Sequence, residues 1–139
     1  VLQEAEDPSV PLIERVRFMG IFSNKLDEFY RVRFADVRRL AAFSKGKEKA
    51  GYEKLLDDIR DSVGDLQQRF DRVYLGCLAE LRANYPALPV VVVSADATAQ
   101  QIDAALQAGA SLYLTKPVSV AELLAVVDEV LERSETRFG

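Results

Sequence analysis

Four arginines, Arg31, Arg33, Arg38 and Arg39, fall close together, a density that could grip a phosphate chain or a nucleic-acid backbone. Asp27, Glu28 and Asp36 are interleaved with them, so the stretch reads as a solvated helix face laced by acid–base pairs. Overall, 22 acidic residues stand against 18 basic ones, and a net charge of −4 argues against general nucleic-acid binding. Lys116 and the hydroxyl of Ser94 would together suit a phosphoryl oxygen. An anion site usually needs more donors, and the alternative is a lysine that is solvated or paired with a carboxylate. The neighbouring acids Asp27-Glu28 and Asp57-Asp58 point about 100° apart on a helix and do not converge on a metal or a substrate proton. The sequence holds no histidine, which removes histidine-based catalysis, phosphorylation and metal ligation from these residues. A lone cysteine, Cys77, precludes an internal disulfide and suits a reducing compartment.

The elements that must carry these groups change character part-way along the chain. Its 139 residues are 49% hydrophobic and 29% charged, the composition of a globular chain of one domain or two small lobes. No apolar run approaches the ~20 residues that cross a bilayer. Val1 to Asp7 bears no likeness to a secretion signal and reads as the end of a helix. From Ser9 to Phe43 the pattern is helical, with Ser9 as the cap and Pro11 in the first turn. Leu12, Val16, Met19, Phe22, Leu26, Phe29 or Tyr30, Val37 and Leu40 share one face. Ser23-Asn24 interrupts the stripe, which leaves one bent helix or two abutting ones. Ser44 to Gly51, polar with two glycines, reads as the turn. Tyr52, Leu56, Ile59, Val63, Leu66, Phe70, Val73 and Cys77 then alternate steps of four and three, a heptad seam on a helix to about Ala83. Such a stripe needs a partner, and the preceding segment supplies one in an antiparallel α-helical hairpin.

After Pro86 the signals are those of strands. Leu88-Pro89-Val90-Val91-Val92-Val93 suits a parallel strand covered on both faces. Thr98-Ala99-Gln100-Gln101 and Ser119-Val120-Ala121-Glu122 are capping boxes, and Gly109 stands where a helix C-cap is expected. Ser111 to Thr115 is a second short strand, Leu123, Leu124, Val127, Val130 and Leu131 mark the apolar side of a last helix, and Ser134 to Gly139 reads as a frayed tail. Strand, helix, strand, helix with short links is a right-handed βαβ unit with a trailing helix.

Two resemblances follow from particular blocks. Val1-Leu2-Gln3-Glu4-Ala5, Pro11-Leu12-Ile13-Glu14-Arg15 and above all Ser23-Asn24-Lys25-Leu26-Asp27-Glu28-Phe29-Tyr30-Arg31-Val32-Arg33 resemble the N-terminal helical region of bacterial polyphosphate kinases. That resemblance implies a helical head that helps form a dimer and borders a nucleotide pocket, the chemistry residing in later domains through a phosphorylated histidine. Lys25 departs from the family, which usually has an asparagine there. Pro89 to Ala97, Ala108-Gly109-Ala110 and Tyr113-Leu114-Thr115-Lys116-Pro117 resemble the second half of a response-regulator receiver domain. By that resemblance Ser94 is the hydroxyl that bonds a phosphoryl group, Lys116 the lysine that pairs with it, and Tyr113 the aromatic that changes rotamer when the switch turns. It also implies a Lys116-Pro117 bond that is often cis. The acceptor aspartate and the Mg²⁺-binding acids of the family have no counterpart, and Asp96, in the loop after the fourth strand, cannot replace the acceptor.

The expected fold is therefore an α+β hybrid. A long helical hairpin (1–83) leads into a β-α-β-α half-receiver, flavodoxin-like, with a two-stranded parallel sheet (84–139). The expected function is a non-catalytic structural or interaction module, a chimeric or engineered assembly of two sub-domain fragments. The alternative is a remnant signalling or nucleotide/phosphate-binding module. No catalytic residue, cofactor or metal is expected, and Ser94, Tyr113 and Lys116 form a receiver switch remnant. Expected too are a homodimer through sheet pairing or helix packing, no nucleic-acid or membrane partner, and a cytoplasmic location.

Overall fold

The structure, a computed structural model, describes residues 1–138, with side chains for residues 1–136. Contacts divide it into two compact units, Val1–Tyr74 and the residues from Leu75 onward. The sequence-based boundary after residue 83 lies beyond that division, near the end of the helix that runs through both.

The first unit opens with a short helix, α1 (Leu2–Glu6), whose Leu2 and Ala5 are buried. Its far end is tied by Arg69, which donates two hydrogen bonds to Glu6, at 2.9 Å to Oε1 and 2.7 Å to Oε2. That bidentate pair holds the Glu6 carboxyl below its usual range. A depressed acid contributes stability above its unfolded pKa and loses it as pH falls through the folded value. The resistance of this unit to urea is thus expected to decline below the ordinary glutamate range, and Glu6→Gln to remove that part of the decline. A Glu6→Gln profile that falls as steeply as the parent's in urea titrations at stepped pH would contradict the tie.

The helix α2 (Leu12–Phe29) begins after Pro11, and its N-cap carries no side-chain hydrogen bond. Ser9 is not the cap: its N–H and its hydroxyl both donate to Asp7 Oδ1, at 2.8 and 2.7 Å, in a turn that brings the chain to Pro11. Ser23-Asn24 does not break the helix either. The irregularity comes later, as a π-helical turn over Tyr30–Phe34, followed by α3 (Ala35–Phe43). Phe29, Tyr30 and Phe34 meet edge-to-face across it, with centroids 6.0 and 5.2 Å apart. A π turn inserts one residue into the helical count. The inward face therefore continues as Phe34, Val37 and Ala41, while Leu40 is rotated outward.

The turn is shorter than the polar stretch suggests. Ser44-Lys45 makes the link, and α4 runs from Gly46 to Asn84. Gly46 has a φ of +60° and makes the reversal, after which Lys47, Glu48, Lys49 and Ala50 are good helix formers. The 39 residues of α4 span about 58 Å at 1.5 Å each. Every residue of its apolar seam within this unit is buried or half-buried. Phe22 stacks on Phe70 at 5.6 Å, and the Arg60 guanidinium lies 5.6 Å from the Phe34 ring centroid. Partner numbers rise on one side as they fall on the other, so α2 and α3 pack antiparallel to α4.

The second unit begins on the last turns of α4. β1 (Val91–Ser94) and β2 (Leu112–Thr115) pair in parallel, Val91 with Leu112 through Ser94 with Thr115. The helix α5 (Ala99–Ala108) links them, and α6 (Val120–Phe138) follows. Thr98 caps α5 by accepting from Gln101 N. Ser119 and Glu122 form the reciprocal capping box of α6, Glu122 N donating to Ser119 Oγ at 3.1 Å and Ser119 N to Glu122 Oε2 at 2.8 Å. Helix continues past Ser134 to Phe138, where a frayed tail was expected; Gly139 lies outside the described residues. The strands are less buried than a strand covered on both faces would be. No residue of β1 or β2 is fully buried, since the sheet has two strands and β1 a single hydrogen-bonded neighbour.

Candidate functional site

The end of the sheet where both strands terminate collects the residues singled out from the sequence. Ser94 is the last residue of β1, and Lys116, directly after β2, donates its backbone N–H to Ser94 O at 2.8 Å. That bond sets the two residues side by side because Ser94 and Thr115 are register partners. The Lys116 side chain is exposed and beside the groove of Val93, Pro117, Val120 and Leu123. Its link to Pro117 is cis. Ser94 Oγ accepts from Asp96 N at 3.1 Å. Tyr113, half-buried on β2, donates its hydroxyl to Asp96 O at 2.7 Å.

Asp96 is thus the hub of this end of the sheet, which the sequence reading missed. Its Oδ1 also accepts from Thr98 N at 2.9 Å, and that bond holds the carboxyl below the usual aspartate range. The signal was present in Asp96-Ala97-Thr98, an Asx turn leading into a helix cap. The Tyr113 contact, seventeen positions away, had no local signal. Ser94, Tyr113 and Lys116 therefore gather at one place, around a loop whose polar atoms are largely satisfied within the chain.

The other candidates do not converge. Lys25 pairs with Glu28 and Arg39 with Asp36, each three positions apart on the helix. Asp57 pairs with Arg60 in the same way. Arg38 and Arg60 line a shallow pocket of about 510 Å³ with Lys49, Glu53, Leu56 and Asp57, where acids and bases alternate. Cys77 is buried on the seam. Among the described residues no group of three or more His, Cys, Asp or Glu could hold a metal ion, and no helix is long and apolar enough to cross a membrane.

Comparison with known proteins fits this division of labour. Residues 1–85 match the family described as "Polyphosphate kinase N-terminal domain". The chain belongs to that family. Its helical unit is similar to the polyphosphate kinase of Vibrio parahaemolyticus, 48% identical over 84 residues, 58% of this chain and 12% of the kinase. It is similar also to that of Escherichia coli strain K12, 47% identical over 85 residues, 60% of this chain and 12% of the kinase. The chain thus spans about an eighth of the length of the curated relatives it matches, and the likeness is confined to their N-terminal domain. Residues 75–128 match the family described as "Response regulator receiver domain". No solved structure matches the chain.

The two matches overlap on residues 75–85, nearly all of them within α4. The last turns of α4 are therefore shared: they end the polyphosphate kinase N-terminal domain and begin the receiver half. Gly109 shows how closely the second unit is fitted to them. A Cβ at this position would lie 2.9 Å from Arg82 Cβ and 3.1 Å from Leu78 O.

Proposed function

We propose that this chain is a non-catalytic interaction module, a chimera of two sub-domain fragments joined through one continuous helix, which works by presenting surface rather than by turning over a substrate. The observation that carries this reading is the outer face of α6. Val120 is 74% exposed, Leu124 58% and Leu131 51%, an exposed apolar stripe at helical spacing. Contiguous apolar surface of this kind marks a place where another surface docks. The long hairpin supports the reading as a stiff arm, since Phe22 of α2 stacks on Phe70 of α4, and Phe70 in turn stacks on Tyr74 one turn along α4. A buried Cys77 and the absence of any other cysteine suit a reducing, cytoplasmic setting.

Purified chain incubated with ATP and Mg²⁺, or with acetyl phosphate and Mg²⁺, is expected to give no steady release of ADP, polyphosphate or inorganic phosphate. Sustained turnover by a homogeneous sample would sink the reading. A phosphate-binding remnant is the second reading, favoured by the exposed Lys116 beside Ser94. Titration with inorganic phosphate, followed through the amide resonances of Ser94, Tyr113 and Lys116, separates the two. Saturable shifts confined to those residues would favour the remnant, and unmoved resonances the interaction module.

A further inference from the structure

We propose that the partner of this module is a second copy of the chain, paired antiparallel along the open edge of β1 about a two-fold axis at Val92. The inference rests on the interaction-module reading and names its partner.

The backbone of β1 dictates the register. Val90 and Ser94 turn their carbonyls to β2, accepting from Ser111 N at 2.7 Å and Lys116 N at 2.8 Å. In a parallel ladder alternate residues face alternate neighbours. Val92 therefore also faces β2, while Val91 and Val93 point their N–H and C=O groups away from it, where β1 has no strand beside it. Two residues that both face outward can exchange a pair of N–H···O bonds only with two others that do the same. A two-fold axis at Val92 sets Val91 against Val93 of the second copy and Val93 against its Val91, closing four hydrogen bonds at once.

The composition of the strand permits this and charge supports it. Leu88 to Ala95 carries no charged residue, so no like charges meet across the axis, and none of the usual edge protections is present between Val90 and Ser94. Past the bend at Ala95, that register leads the loop of Asp96 in one copy toward Leu88 of the other. Leu88 lines a cleft of about 690 Å³ with Arg82 and Arg133. The loop of Asp96 in each copy then lies on the side of its neighbour that carries Arg82 and Arg133, the latter paired with Glu129 in its own chain. By contrast, β2 ends on Thr115 and is followed at once by Lys116, so a second copy set along its outer edge would bring two lysines near its ends.

The test is absolute molar mass by light scattering during size-exclusion chromatography of the full chain, over a wide range of loading concentrations. Dimer mass is expected for the parent. Val93→Pro removes an outward N–H and leaves the β1–β2 ladder intact, and it is expected to give monomer with unchanged circular dichroism. A parent that stays monomeric, or a folded Val93→Pro that stays dimeric, overturns the proposal. Should Val93→Pro unfold, Val92→Cys decides. On the axis, opposed Cβ atoms lie about 4.5–5.5 Å apart, so mild oxidation is expected to link two chains, and a failure to link them overturns the register. Turnover with ATP would remove the interaction-module reading whatever the mass, whereas a monomer without turnover removes only the β1 pairing.

Discussion

Gly109→Ala is expected to destabilise the unit from Leu75 onward by about 2–4 kcal/mol, combining backbone strain with overpacking. Two independent costs meet at this residue. Its φ of +137° lies where an L side chain is rarely found, because a Cβ there crowds its own backbone. The space is also taken, since an added Cβ would sit 2.9 Å from Arg82 Cβ and 3.1 Å from Leu78 O, a backbone atom of a helix that cannot readily give way. Gly64→Ala is the matched control. Gly64 lies inside α4 with nothing within 4 Å of an added Cβ and no positive φ, so alanine there is expected to stabilise by about 0.5–1 kcal/mol. Urea unfolding read by circular dichroism, with amide exchange at β1 and β2, distinguishes them. A Gly109→Ala variant with unchanged protection of the strands would show that Arg82 and Leu78 do not hold that corner.

Leu56→Ala is expected to cost the hairpin about 2–4 kcal/mol, the usual range for truncating a buried leucine. Leu56 is 6% exposed and lies on the seam of α4 where it meets Ala41 of α3. The informative comparison is Leu40→Ala. A regular helix from Leu12 onward would point Leu40 inward, as its spacing in the sequence suggests, and its truncation would then resemble that of Leu56. The π turn at Tyr30–Phe34 moves the frame by one residue, puts Ala41 inside and leaves Leu40 48% exposed. Leu40→Ala is accordingly expected to change stability by no more than about 0.5 kcal/mol. Equal losses at the two positions in urea titrations would mean that the helix carries no extra residue.

Much of this molecule is written within a few residues of each position. The capping boxes at Thr98 and Ser119, the seam from Tyr52 to Cys77 and the β-branched run before Ser94 depend on contacts across one helical turn or on side-chain alternation along a strand. Those signals suffice for helix, strand and hairpin. The local reading went astray where a rival local signal was stronger. Ser9 resembles a cap, but Asp7 claims its hydrogen bonds, and the polar residues after Gly46 resemble a turn although they are good helix formers.

The sequence by itself determined most of the helices and strands, through periodicity and caps, and which families they resemble, and the receiver resemblance implied that Ser94 and Lys116 stand near one another. Only the tertiary structure decided the rest. It placed the π turn, across which Phe29, Tyr30 and Phe34 meet edge-to-face, at a position that no residue of the turn marks in the sequence. It joined Arg69 to Glu6 across 63 positions and Tyr113 to Asp96 across 17. It fitted the last turns of α4 against Gly109, so that one helix serves both fragments. The last three are contacts between residues far apart in the chain, formed only after the local elements exist, and local propensity carries no information about which distant partner will arrive.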